Sequence, residues 1–268
     1  MTGLTHLEIW QFEVVQHVLT FGFAAMGAAL LYFVLTIKDN APKYRPSSVL
    51  SGVVMVSAFL LLFLQSQSWA DAFVLQNGVY EASGTSTFTN GFRYLNWLID
   101  VPHLLIQILF VAGIAGVAFK KYLVRFTASG SLMIITGYVG QFYEPGRGAE
   151  TDITLWIVWG VISTLFYIWV LLLITKVIKE GRANMKGSKA EPLFAAILPL
   201  FYVAWTIYPV AYVMPLFGGS ANAVLPLAIV AQQVLYTIAD VTSKIFYGVM
   251  LNVSSTRLSI EQGYQPSN

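Results

Sequence analysis

The sequence predicts an all-α membrane protein, a single domain over residues 1–268 built as a seven-transmembrane-helix bundle. Its N-terminus is expected outside, with a short extracellular hairpin between helices 2 and 3. Three observations predict this class. Hydrophobic residues make up 57% of the chain and charged residues only 10%, against roughly 25% charged in an average soluble domain. The apolar residues fall into runs that reach the ~20 residues needed to cross a hydrocarbon core about 30 Å thick. Apart from Arg93, Arg147, Lys244 and Arg257, lysine and arginine fall in alternate connections between those runs.

Reading apolar runs between polar breaks places the spans at 10–37, 47–71, 91–117, 122–143, 152–178, 193–216 and 223–252. The connections Lys38–Pro46, Lys120–Arg125 and Lys176–Lys189 carry Lys38, Lys43, Arg45, Lys120, Lys121, Arg125, Lys176, Lys179, Arg182, Lys186 and Lys189. The opposite connections hold Asp71, Glu81, Glu144, Glu150 and Asp152, with Arg147 as their one basic residue. The positive-inside rule therefore puts the N-terminus outside and, after seven spans, the C-terminus in the cytoplasm. Between spans 2 and 3 the stretch Gln76–Asn90 is rich in Gly, Ser and Thr, as an external hairpin requires.

The chain has no cysteine, which excludes disulfides and thiolate metal sites. Met1–Glu8 lacks the basic segment of a cleavable signal, so the first helix is expected to insert as its own signal. A net charge of +2 is too small to imply a nucleic-acid partner. The expected partner is the lipid bilayer of the cell membrane. With no internal repeat and no appended soluble domain, function is expected inside the bundle, and it is not expected to be enzymatic.

A charge at mid-bilayer costs at least ~2.5 to 3.5 kcal/mol, so Arg93, Asp100, Asp240 and Lys244 each require a partner or a task. Asp240 and Lys244 are four apart and share one face of span 7. One reading is a buried ion pair that fixes helix register. The other is chemical: a lysine in an apolar pocket attacks an aldehyde to form a Schiff base, whose protonated form needs a carboxylate counter-ion. In span 3, Arg93, Asn96, Asp100, His103 and Gln107 recur in steps of three and four, within an arc of about 80°. Such a stripe is either a hydrogen-bonded seam between helices or the lining of an ion or proton path.

These residues resemble the microbial (type 1) rhodopsins. Asp240 and Lys244 match the Asp-x-x-x-Lys that carries retinal, and Arg93-Tyr94-Leu95-Asn96-Trp97 matches the Arg-Tyr-x-x-Trp signature. Asn96, Asp100 and Gln107 reproduce the NDQ combination of the sodium-pumping members. Proton pumps of the family usually place a carboxylate where Asn96 stands, and chloride pumps a Thr or Ser at Asp100. A carboxylate there also repels an anion.

The resemblance implies all-trans retinal on Lys244, with Asp100 as counter-ion and proton acceptor and Asp240 as second counter-ion. It implies a pocket of Trp97, Met133, Ile134, Gly137, Trp205, Tyr208 and Pro209, with Ser243 beside the lysine. Sodium would enter past Ser48, Asn252, Gln107 and Ser57, be held transiently by Asn96 and Asp240, and leave past Arg93 and Glu144. His17 matches a histidine at the protomer contact of family pentamers. Several positions depart from the pattern. Ser48 and Asn252 replace an Asn and a Gly, Gln232 stands where an arginine is usual, and Ser86 stands where His17 would find an acidic partner. The N-terminus is expected to lack the amphipathic capping helix of relatives, and His103 replaces an apolar residue. It is expected either to bond a neighbouring helix or to shuttle protons. An outward proton pump, a photosensor with a separate transducer, and a transporter unrelated to retinal stay open as alternatives.

Overall fold

The computed structural model describes residues 6–146, 150–217 and 224–265. Arg147 and the expected start of span 7 at residue 223 lie outside the described residues. The helices are α1 (Ile9–Thr36), α2 (Arg45–Ala72), α3 (Gly91–Val111), α4 (Gly116–Gln141), α5 (Ile153–Asn184), α6 (Glu191–Val213) and α7 (Pro226–Glu261). The 21 residues of α3 rise about 32 Å at 1.5 Å each, the thickness of a hydrocarbon core. Six helices contain a long apolar window. The seventh, α4, carries Lys120, Lys121 and Arg125 in its first turns, so its apolar part is confined to the second half. The chain is a multi-pass membrane protein.

Each helix packs on its chain neighbours, α7 also returns to α1, and the ring closes. α3 is the most buried of the spans, which is why its side chains can form a lining. The structure corrects its end. Span 3 stops at Val111, not at residue 117, because Gly113 (φ 67°) and Gly116 (φ 59°) take the left-handed conformation that closes a turn. The connection is therefore Ala112–Ala115. Lys120, Lys121 and Arg125 sit inside α4, and Lys176, Lys179 and Arg182 inside α5, so hydropathy alone misplaced these boundaries.

The hairpin is present and begins earlier than expected. β1 (Phe73–Gln76) pairs antiparallel with β2 (Val79–Ala82) around Asn77 (φ 50°) and Gly78 (φ 84°), the residue pair that a tight hairpin turn prefers. Leu7 bridges to Tyr80, and Phe12 stacks on the Tyr80 ring at 3.8 Å. Trp69, Phe73 and Phe88 extend this cluster, which clamps the hairpin over the ends of α1 and α2.

One irregularity lies inside α7. Val241–Phe246 forms a π-helical turn. Each bond there spans five residues, which widens the turn and re-aims the side chains it carries. Lys244 is one of them.

Candidate functional site

The widened turn delivers Lys244 to α3. Its side chain is 1% exposed. Nζ lies 2.9 Å from Asp240 Oδ1, 3.0 Å from Asp100 Oδ2, and in close contact with Asn96 Oδ1. Three oxygens from two helices thus converge on one nitrogen. Such a set of hard oxygen donors also suits a small hard cation.

The two carboxylates are held very differently. Asp240 Oδ1 also accepts from Trp97 Nε1 and from the Tyr208 hydroxyl, each at 2.9 Å. Its Oδ2 receives Arg93 Nη1 at 2.6 Å. Arg93 is fully buried, donates to Thr237 Oγ1 at 2.9 Å and lies over the Tyr236 ring. Asp100 is held more sparely, by the ion contact with Lys244 and by the Ser57 hydroxyl. Hydrogen bonds to the charged form of a carboxylate favour that form. Asp240 is thus tied to four donors, Lys244, Arg93, Trp97 and Tyr208, and Asp100 to fewer.

Of the stripe predicted on α3, Arg93, Asn96, Asp100 and Gln107 are fully buried in the interior. His103 is not. It is half-buried, and its Nδ1 lies 2.6 Å from the Ile99 carbonyl of its own helix. That geometry corrects the expectation of a bond to a neighbouring helix. His103 lies at the edge of the arc, and its ring turns back along α3. An accepting carbonyl requires the proton on Nδ1.

The structure places Trp97, Met133, Ile134, Gly137, Trp205, Tyr208 and Pro209 around one cavity, with Ser243 and Lys244 in its wall. Ring packing gives the cavity its shape. Trp97 meets Tyr208 edge-on at 5.1 Å, and Phe201 stacks on Trp205 at 4.2 Å. A Cβ at Gly137 would lie 3.1 Å from Tyr94, so the glycine preserves cavity width. An apolar aromatic slot with one amine in its wall fits retinal. Sequence reading missed Tyr94, Gly160, Tyr167, Tyr212 and Tyr236 as lining residues. Tyr236, one turn before Asp240, was within reach of spacing arguments; the others depend on how α4, α5 and α6 face each other.

Toward the basic end, Asn96 Nδ2 donates to Ser57 Oγ at 3.0 Å, and Ser51 Oγ donates to Gln107 Oε1 at 2.6 Å. Ser48 Oγ donates to Asn252 Oδ1 at 2.8 Å. Toward the hairpin end, Glu144 is 5% exposed and accepts from Gln232 Nε2 at 2.7 Å. His17 is exposed on α1, and Ser86 is exposed in the irregular segment that follows the hairpin.

The signature of the family described as bacteriorhodopsin-like protein matches residues 13–258. Green-light absorbing proteorhodopsin of Gamma-proteobacterium EBAC31A08 is 26% identical over 235 residues, covering 85% of this chain and 81% of that protein. Archaerhodopsin-3 of Halorubrum sodomense is 27% identical over 175 residues, 65% of this chain and 61% of that one. Among solved structures, xanthorhodopsin, described as a light-driven ion pump with dual chromophore, superposes with a TM-score of 0.86 at 31% identity, covering 98% of this chain and 100% of that one. A thermophilic rhodopsin also gives 0.86, at 26% identity over 97% and 100% of the two chains. Retinal is the chromophore typical of such proteins, and the cavity fits it. With its seven helices, its buried lysine and this match over nearly the whole chain, the protein belongs to the bacteriorhodopsin-like family, the type 1 microbial rhodopsins.

Proposed function

We propose that this chain is a light-driven pump that exports sodium, with all-trans retinal carried on Lys244. The observation that carries the reading is the chemistry of the interior between Lys244 and the basic end. Among the described residues, no buried carboxylate, histidine or amine lies there. The polar groups are the amides and hydroxyls of Ser57, Ser51, Gln107, Ser48 and Asn252. A proton relay needs a titratable group on the uptake side, whereas neutral oxygens suit a hard cation. His103 is half-buried at the edge of the stripe, with Nδ1 on the Ile99 carbonyl, and stands outside this interior set.

Retinal bound on Lys244 would supply a light-driven change of shape, and the lysine's own Nζ is the nitrogen that releases and regains a proton. Asp100, 3.0 Å from Nζ and less heavily bonded than Asp240, accepts that proton. Once neutral it no longer fixes a cation in place. Asn96 Oδ1 and Asp240 Oδ1 then offer oxygens to sodium that has come past Asn252, Ser48, Gln107 and Ser57. Asp240 stays charged through Arg93, Trp97 and Tyr208. Tyr208 in turn shares a 2.8 Å hydrogen bond with Ser243, which fixes the wall beside the lysine. Return of the proton from Asp100 restores the barrier. The ion leaves past Arg93 and Glu144. The proposed assembly is a homo-oligomer, a pentamer by the resemblance, with His17 on its exposed α1 face.

Outward proton transport, alone or when sodium is absent, is the second reading. It is favoured by the relatives, whose descriptions do not specify sodium. The test is illumination of retinal-supplied cells in sodium chloride and then in potassium chloride, recording external pH with and without a protonophore. Alkalinisation in sodium that the protonophore enhances supports sodium export. Acidification abolished by the protonophore in both salts rejects it in favour of protons. Loss of the visible band in Lys244→Ala checks the attachment site in the same preparation.

A further inference from the structure

At the basic end, where α1, α2 and α7 meet, six side chains form one connected cluster around Asn40. This residue follows the short turn Ile37–Asp39 between α1 and α2. Residues of connections ordinarily face water, yet Asn40 is fully buried. Its Nδ2 donates to Ser48 Oγ at 3.1 Å and to Asn252 Oδ1 at 2.7 Å, and its Oδ1 accepts from Thr256 at 3.1 Å. Asn252 Nδ2 donates in turn to the Tyr32 hydroxyl at 3.1 Å and to Thr36 Oγ1 at 3.0 Å. Arg45 Nε holds the Asn40 carbonyl at 3.0 Å, which pins the connection in place.

Both amide hydrogens of Asn40 and both of Asn252 are therefore spent inside the cluster. The cluster contains no charged side chain, but it gathers amide and hydroxyl oxygens from three helices. In the observed arrangement the Asn40 and Asn252 donors occupy the oxygens that face them. A rotation of the Asn40 carboxamide about its last side-chain bond removes two of those donors at once and turns Oδ1 toward the oxygens of Ser48 and Asn252. Ser48 leads inward along α2 to Ser51, which bonds Gln107, so the cluster lies at the head of the neutral route.

We propose that Asn40 is the pivot of an entry filter for the transported cation, closed when its amide donates and open when its carbonyl oxygen serves as a ligand. The proposal rests on the reading of the chain as a sodium exporter and adds a residue and a mechanism of entry to it. Asn40→Leu keeps the volume and removes the ligand. Asn40→Asp keeps the shape, removes the donor and adds charge.

The experiment measures the half-saturating sodium concentration of light-driven transport in proteoliposomes of the retinal-bound protein for wild type, Asn40→Leu and Asn40→Asp. The expected result is a rise of roughly tenfold for Leu and a fall of roughly tenfold for Asp. The visible band stays at its wild-type position in both. A purely structural Asn40 would move both variants in the same direction, together with thermal stability. Wild-type half-saturation in both variants, or shifts of the same sign, overturns the filter while leaving sodium export standing. If Asn40→Leu does not assemble, the near-isosteric Asp variant decides alone, and wild-type half-saturation there overturns the proposal. Sodium-independent transport by the wild type overturns sodium export and the filter together.

Discussion

Asp100 and Asp240 both touch Lys244, and their unequal surroundings predict unequal costs of neutralisation. Asp240→Asn keeps the shape and removes a charge that receives Lys244, Trp97, Tyr208 and Arg93 at 2.6–2.9 Å, all in the interior. Arg93, whose Nε already lacks a partner, would be left as a fully buried cation without its anion. Breaking a buried pair on one side costs about 3–5 kcal/mol, which in a chain of this size lowers the thermal midpoint by about 6–20 °C. Asp100→Asn weakens one ion contact at 3.0 Å and keeps an oxygen for the Ser57 hydroxyl, and Lys244 keeps Asp240 as its anion. Its expected cost is about 1 kcal/mol or less, a shift below about 4 °C. The assay is loss of the visible band on heating at a fixed rate in one detergent. Equal losses for the two variants, or a larger one for Asp100→Asn, would refute the assignment of Asp240 as the fixed anion and Asp100 as the exchangeable one.

Three further outcomes follow from the same geometry. Acidification should shift the visible band in one reversible step as Asp100 gains a proton and the charge 3.0 Å from Nζ disappears, with the charged form restored as pH rises; a step that persists in Asp100→Asn belongs to another group. His103→Met should leave photocycle rates free of any new pH dependence between about pH 6 and about pH 9, because the ring is turned onto the Ile99 carbonyl; a step that becomes pH-dependent would restore the proton-shuttle reading. Gly181→Ala should destabilise by about 1–3 kcal/mol, since its Cβ would meet Phe194 at 2.7 Å and Ala112 at 2.8 Å where α3, α5 and α6 pack; unchanged thermal stability would show that this junction relaxes.

The sequence by itself determined the class, the number of spans, the basic end and the central charges, because each of these is written in composition or in a local period. Arg93, Asn96, Asp100 and Gln107 share a helical face whatever surrounds them, and Asp240 and Lys244 follow from spacing in the same way. The tertiary structure decided what spacing cannot express. His103 satisfies the period of the stripe yet turns outward from it, because its ring finds an acceptor one turn back on its own helix. The α3–α4 connection fell at two left-handed glycines rather than at the basic residues. Asn40 carried no periodic signal at all, and only the meeting of α1, α2 and α7 buried it. Most consequential is the contrast between the two carboxylates. In sequence they are two aspartates near one lysine; in space Trp97, Tyr208 and Arg93 converge on Asp240 and none of them reaches Asp100. Which carboxylate can exchange a proton is a property of that convergence, since the free energy of a buried charge depends on the dipoles and counter-charges that the fold brings to it.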